Sequence, residues 1–146
     1  MGCGVCLFVA MAVIIMVMAL KKSVKSCPEE WMQMKENCYY ISTLMATWEY
    51  SNDNCSSLGA SLTVIEDPKE LAFLVRQCRR FLSFWIGLKR TPQMEWRWIN
   101  NHPFNQSWRS LDATTEGDCV SVSQETLQTQ NCSTLQLWIC KRVVGP

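Results

Sequence analysis

Histidine is nearly absent from this chain: His102 is the single one in 146 residues. It sits beside Pro103 in polar sequence with no nucleophile pattern near it, so no base–nucleophile pair can be assembled around it. The default reading is a surface-loop histidine, and the chain is read as a non-enzyme with no catalytic residue. The stretch Gly117–Cys140 holds three cysteines but neither a Cys-x-x-Cys pair nor paired histidines, which removes a zinc clamp there. Excess charge is lacking too. The formal net charge is +1, and from Cys27 onward 11 Lys/Arg stand against 13 Asp/Glu, a balance of −2. So neutral a domain has no electrostatic footprint for nucleic acid, and none is expected as a partner.

What the chain does have is cysteine and aromatic bulk. Nine cysteines in so short a chain point to an oxidising compartment, where disulfides persist. Seven tryptophans, five phenylalanines and three tyrosines supply one packed core. The length allows one domain plus an appendage.

Residues 1–20 are that appendage. Cys3–Leu20 carries no charged or strongly polar side chain and spans about 27 Å as a helix, enough for a bilayer core. Two readings stand. As a signal anchor it leaves the rest of the chain outside the cell, a single-pass type II membrane protein. As a signal peptide it is cut after Ala19, where Val17 and Ala19 satisfy the small-residue rule, and the product is secreted. Lys21, Lys22 and Lys25 make residues 21–26 a short basic neck, on the side of the membrane that the positive-inside rule disfavours. Either the chain is processed, then, or a basic cytoplasmic segment precedes it. The apolar run has no Lys or Arg to pair with an acidic signalling adaptor, and no tyrosine motif precedes it. Cys3 and Cys6 read as small apolar residues of the membrane segment, since Cys6 stands where a myristoylation pattern wants Ser or Thr.

From Cys27 the pattern changes. Cys38-Tyr39-Tyr40-Ile41 reads as a strand, and a hairpin closed by Cys27 and Cys38 is the simplest local pairing. Thr47 caps a helix with apolar positions Trp48, Cys55 and Leu58 and a stop at Gly59. Asp67-Pro68-Lys69-Glu70 combines an N-cap, a first-turn proline and a capping-box glutamate. Leu71, Leu74, Val75 and Cys78 follow on one helical face, and Arg76, Arg79 and Arg80 suit the helix C-terminus as a solvated face. Phe84–Leu88 is a buried strand, Trp96-Arg97-Trp98 alternates, and Cys119–Val122 and Leu137–Cys140 complete the strands. Residues 100–116 show no periodicity; Phe104 and Trp108 are the only large apolar anchors in what reads as a functional loop. Two early helices followed by short strands make the fold α+β.

These residues carry a resemblance. Cys27 and Cys38, Cys55 on the first helix, Trp85-Ile86-Gly87-Leu88, Trp96-Arg97-Trp98, Gly117-Asp118-Cys119, Cys132 and Trp138-Ile139-Cys140 resemble a long-form C-type lectin-like domain over residues 27–142, leaving 143–146 as a tail. The chain is most similar to the natural-killer-complex branch, in particular the activation-antigen and lectin-related ligands of killer-cell lectin-like receptors. The resemblance implies a fold of two helices and two small antiparallel sheets with a long loop, braced by Cys27–Cys38, Cys55–Cys140 and Cys119–Cys132. Six cysteines alone would allow fifteen pairings. Cys78 is left over: its place on the apolar stripe argues for a buried thiol, whereas an odd cysteine in an oxidising compartment argues for a bridge between chains. Relatives in the branch resemble it in carrying a cysteine there that can link a homodimer.

Sugar-binding relatives hold calcium with a Glu-Pro-Asn-like triplet in the long loop and a Trp-Asn-Asp-like triplet before the penultimate cysteine. Calcium wants six to eight oxygens, several of them anionic. Residues 108–116 contain no such triplet, and the later positions read Leu127-Gln128-Thr129, where only Gln128 offers an amide oxygen. Asp112, Glu116 and Asp118 read as solvated loop acids. No metal or cofactor is expected. The resemblance then implies cell-surface recognition of a killer-cell lectin-like receptor or similar protein. A secreted lectin-like binder, or a carbohydrate binder with a non-standard site, is the alternative. Arg90, Arg97, Asn101, His102, Arg109, Glu125 and Gln130 are the candidate contact residues, because rigid scaffolds present loops and arginine is a common hot spot. Trp108 and Phe104 are read as turning inward. Asn54-Cys55-Ser56, Asn105-Gln106-Ser107 and Asn131-Cys132-Ser133 are glycosylation sequons at Asn54, Asn105 and Asn131, two of them straddling cysteines.

Overall fold

The computed structural model describes residues 26–78, 82–107, 109–124 and 126–145. The apolar run, the Ala19 site, the neck lysines, Arg79, Arg80, Trp108 and Glu125 lie outside the described residues. Among the described residues no helix is long and apolar enough to cross a membrane.

The chain runs β1 (Met32–Met34), β2 (Asn37–Ile41), α1 (Trp48–Ser57), β3 (Ser61–Leu62), α2 (Pro68–Gln77), β4 (Phe84–Arg90), β5 (Trp96–Trp98), β6 (Leu111–Asp112), β7 (Cys119–Ser123), β8 (Thr126–Gln130) and β9 (Leu137–Val143). Both helices begin where the sequence signals it. The Thr47 side chain accepts from the Tyr50 N–H at 3.2 Å, and the Asp67 carboxylate accepts from the Glu70 N–H at 2.8 Å; each satisfies a donor that the first turn leaves unpaired. Helix α1 gives way at Leu58, and Gly59 takes φ +67°, a left-handed conformation that glycine adopts without a Cβ clash.

The strands are ordered β1-β2-β9-β4-β7-β8-β6, with β3 on β9 and β5 on β4. Two separate antiparallel sheets are not what forms. The terminal strand β9 lies between β2 and β4, antiparallel to the first and parallel to the second, and so joins the two halves. A second parallel pair, β6 with β8, lies at the far edge. It places a strand at Leu111–Asp112, inside the span read as irregular; two residues cannot announce a period of two. At the other end, pairing continues past Arg142, since Val143 faces Asn37 and the Val144 N–H donates to Glu36 O at 2.7 Å.

Strand alternation sends residues to opposite faces of this sheet. Phe84, Ile86 and Leu88, with Val120, Val122, Leu137 and Ile139, form one core with Leu71 and Leu74 of α2. Trp85, Trp138, Cys119 and Cys140 form another with Trp48 and Cys55 of α1. A strand covered on both faces has no polar side, which is why Phe84–Leu88 reads as a continuous apolar run. Two buried indoles are anchored: Trp48 Nε1 donates to Ile86 O and Trp85 Nε1 to Ala46 O, both at 2.9 Å. Disulfides join Cys27 to Cys38, Cys55 to Cys140 and Cys119 to Cys132. They tie the β1–β2 hairpin, fasten α1 to β9, and close the β7–β8 unit.

Glu70 has a different role from the one its spacing indicates. Its carboxylate is 3 % exposed and reaches the Glu66 N–H at 2.7 Å, Tyr39 Oη at 2.5 Å and Lys141 Nζ at 2.6 Å. The Lys141 ammonium also donates to Val64 O at 2.9 Å. One carboxylate thus connects α2, β2 and β9. Burial first, then the hydrogen bond and charge of Glu70, hold the Tyr39 phenol above its ordinary value of 10.0.

Candidate binding surface

Four of the candidate contact residues, Arg97, Asn101, His102 and Arg90, fall into two groups around the β4–β5 hairpin. The first surrounds the turn after β5. Asn101 takes φ +69° and its N–H donates to Trp98 O at 2.8 Å, while the Trp98 N–H donates to His102 O at 2.9 Å. Arg97 ties this turn from the side, donating to Asn101 O at 2.8 Å and to the Glu95 carboxylate at 3.1 Å. Asparagine tolerates the left-handed region better than most residues, so the turn suits its sequence. Asn101 and His102 are exposed, and Phe104 packs inward edge-on to Trp98 with ring centroids 5.9 Å apart.

The second group lies where β4 meets the start of β7. The Arg90 N–H donates to Asp118 O at 2.8 Å, and its guanidinium grips the Asp118 carboxylate, Nε at 2.7 Å, while lying over the Trp96 ring. Arg90, Glu116, Gly117, Asp118, Asn131 and Cys132 line a shallow cleft of about 360 Å³. Gly117 fits because a Cβ there would stand 1.9 Å from Gln130 O. Backbone atoms so close cannot yield, so the cleft floor requires glycine at this position.

Not every candidate is a free surface residue. Arg90, Arg109 and Gln130 are only partly exposed. Arg90 is engaged by Asp118, Gln130 is a ladder residue opposite Cys119, and Arg109 turns inward far enough to bury its Nε. Nothing local in the sequence signals these engagements, since a polar residue at a strand end or in a connecting segment looks the same whether free or tied. Strand β8 was missed for the same reason. In its Thr-Leu-Gln-Thr-Gln pattern, Leu127 is fully buried and Thr129 nearly so.

That burial bears on metal binding. Leu127 belongs to the core, and the Thr129 hydroxyl donates to the backbone oxygen of Thr115. The Asp112 carboxylate is engaged by the Thr114 N–H at 3.0 Å, which holds it below the usual carboxylate range. Among the described residues no three His, Cys, Asp or Glu side chains come together as a metal cluster. The donor set at Leu127-Gln128-Thr129 therefore does not fit the anionic oxygen cage that calcium requires.

Cys78 is the free cysteine of the described residues. It ends α2, packs half-buried against the α2-side core and lines an open groove with Leu74, Arg76, Leu82, Phe84, Gln124 and Ile139. Burial pushes its thiol up to about 12, so the neutral form dominates at physiological pH. Its contacts are those of a half-buried thiol, and on that reading an interchain bridge is not expected. Non-reducing electrophoresis of the full chain should give the same pattern for the native protein and Cys78→Ser. Peptide mapping after alkylation should label Cys78 only once the protein is denatured. A dimer band lost in Cys78→Ser would contradict this. Because the folded value is raised, the stability linked to this thiol is complete below its ordinary value of 9.0 and is lost as pH climbs toward 12.

Comparison with known proteins agrees with this geometry. The family-wide pattern of the Lectin C-type domain matches residues 44–142. The chain is 37% identical over 119 residues to killer cell lectin-like receptor subfamily B member 1B allele A of Mus musculus, covering 80% of this chain and 53% of that one. It is 36% identical over 119 residues to early activation antigen CD69 of Mus musculus, covering 82% and 58%. The chain thus spans about half the length of the curated relatives it matches. Among solved structures, the C-type lectin domain of murine dendritic cell inhibitory receptor 2, in complex with N-glycan, superposes with a TM-score of 0.72 at 27% identity over 81% of this chain and 99% of that one. The trimeric Kupffer cell C-type lectin receptor Clec4f gives 0.70 at 26% identity over 81% and 85%. The matched pattern, the paired cysteines and the two-faced mixed sheet together show that this chain belongs to the C-type lectin domain family, among relatives of the natural-killer lectin-like receptors and CD69.

Proposed function

We propose that the protein is a cell-surface immune recognition molecule that binds a lectin-like receptor of natural killer or other lymphoid cells by calcium-independent protein contact. The observation that supports this reading is the side-chain chemistry of β8: Leu127 is buried in the core, Thr129 is turned into a backbone hydrogen bond, and Gln128 between them carries no charge. A sugar site of the family type needs carboxylate or amide oxygens projecting from those positions, whereas a protein interface does not. Identity of 36–37% over 119 residues to a killer cell lectin-like receptor and CD69 supports the class of partner. The exposed Asn101 and His102, buttressed by Arg97, are the proposed centre of contact, with Arg90 lining the adjoining cleft. Residues 3–20 serve as the membrane anchor in this reading, which places the lectin-like domain outside the cell in type II orientation.

Isothermal calorimetry tests the metal half of the proposal. Titration of calcium into the purified protein should give no heat beyond dilution. A saturable site of micromolar affinity would contradict it.

A further inference from the structure

We propose that the protein carries N-linked glycans at Asn105 and Asn131 and none at Asn54. The three sequons are equivalent as sequence, but the fold separates them. At Asn105 the Ser107 N–H donates to the asparagine Oδ1 at 2.9 Å. At Asn131 the Ser133 N–H donates to its Oδ1, again at 2.9 Å. Both are Asx turns, in which the side-chain amide replaces a backbone carbonyl and the third sequon residue folds back onto the first. Both asparagines are exposed, in connecting segments rather than within helices or strands.

Asn54 differs in each respect. It lies inside α1 and is only half-exposed, and its neighbour Cys55 is fully buried in the bond to Cys140, whereas Cys132 beside Asn131, also disulfide-bonded, is half-buried. Helical bonding commits the Ser56 N–H to the carbonyl four residues earlier, so it is not available to the Asn54 side chain. The Ser56 hydroxyl is also turned away from Asn54, donating to Asn52 O at 3.1 Å. A glycan on Asn54 would therefore have to be accommodated against the helix that β9 is fastened to.

The chemistry is group transfer from a lipid-diphosphate-linked oligosaccharide. Asn Nδ2 attacks the anomeric carbon, a C–N bond forms, and the anomeric C–O bond breaks. The lipid diphosphate leaves with the electron pair, and Nδ2 gives up one proton. The Asx turn engages Oδ1 rather than Nδ2 of an exposed asparagine, and the third-position hydroxyl completes the acceptor motif.

These positions matter to the surface. Pro103, two residues before Asn105, bridges to Arg97, and the Phe104 N–H donates to Trp96 O at 3.1 Å, so the first glycan would stand at the β5 edge. Asn131 lines the cleft with Arg90 and Asp118, so the second would stand at its rim. The two glycans would then flank the hairpin and restrict a partner to approach between them. The inference needs only passage through a secretory compartment, which the anchored and secreted readings share; it does not depend on receptor binding.

The test is glycopeptide mass spectrometry on the full chain from cultured mammalian cells, with peptide-N-glycosidase F in heavy-oxygen water to tag each occupied asparagine. Tags are expected at Asn105 and Asn131 and not at Asn54. Asn105→Gln and Asn131→Gln should each remove one glycan increment on electrophoresis, and Asn54→Gln should remove none. Ser107→Ala and Ser133→Ala remove only the hydroxyl and keep the turn's N–H donor, so they should lose the same increments without loss of folded protein. A tag on Asn54, or a bare Asn105 or Asn131 in the folded protein, would overturn the assignment.

Discussion

The Cys55→Ala/Cys140→Ala double variant should lose about 4–5 kcal/mol of folding stability, the chain-entropy value for opening an 85-residue loop. For a domain of this size the corresponding drop in melting temperature is about 15–25 °C. The bond joins α1 to β9, the strand that connects the two halves of the sheet. Both cysteines are fully buried among Trp48, Trp85 and Trp138, so its loss also loosens that core. Opening Cys27–Cys38, which spans 11 residues, should cost less, about 3 kcal/mol, because a short loop has less entropy to regain. Urea unfolding of the two double variants beside the native protein provides the check. Equal losses would show that loop length does not govern the stabilisation.

The second large effect is expected at Glu70. Glu70→Gln keeps the shape but removes the charge facing Lys141 and turns one of the two oxygens shared by Tyr39, Lys141 and the Glu66 N–H into a donor. Lys141 is then a nearly buried ammonium whose remaining carboxylate is Glu66, at 3.6 Å and largely solvated. Breaking a buried pair from one side typically costs about 3–5 kcal/mol, since the surviving charge keeps its desolvation penalty. Tyr39→Phe should cost less, because the carboxylate keeps Lys141 and the Glu66 N–H as partners. Chemical unfolding at neutral pH decides this. A Glu70→Gln loss below that of Tyr39→Phe would mean that the charge pair is not what secures α2 to the sheet.

Glu70 also illustrates how far the sequence could be read. Its position three residues after Asp67 marked the helix start correctly, and Asp67 does cap α2. Spacing alone could not show that the same side chain also meets Tyr39 and Lys141, 31 and 71 positions away in sequence. Local signals served well wherever an element announces itself: the capped helices, the Phe84–Leu88 run, and the tryptophans flanking Arg97. They failed for β3, β6 and β8, which are short or polar and exist because neighbouring strands supply their partners. The joining of both sheet halves through β9 is a long-range pairing with no local signature. At the proposed contact surface the residue types are read from the sequence, but their engagement is not. Arg90, Arg109 and Gln130 look like free polar groups until Asp118, the inward turn of residue 109 and the β7–β8 ladder are in place. The donor chemistry at Leu127-Gln128-Thr129, by contrast, is local, because what these side chains can offer a cation follows from residue type alone.

The most direct test of the functional account is binding of soluble killer-cell lectin-like receptors to cells displaying the full chain, measured in calcium and again in EDTA. At least one receptor should bind equally in both, and Asn101→Ala together with His102→Ala should reduce that binding at least tenfold without changing surface expression. Loss of binding in EDTA, or retention of full binding by the double variant, would contradict a calcium-independent contact centred on the turn after β5.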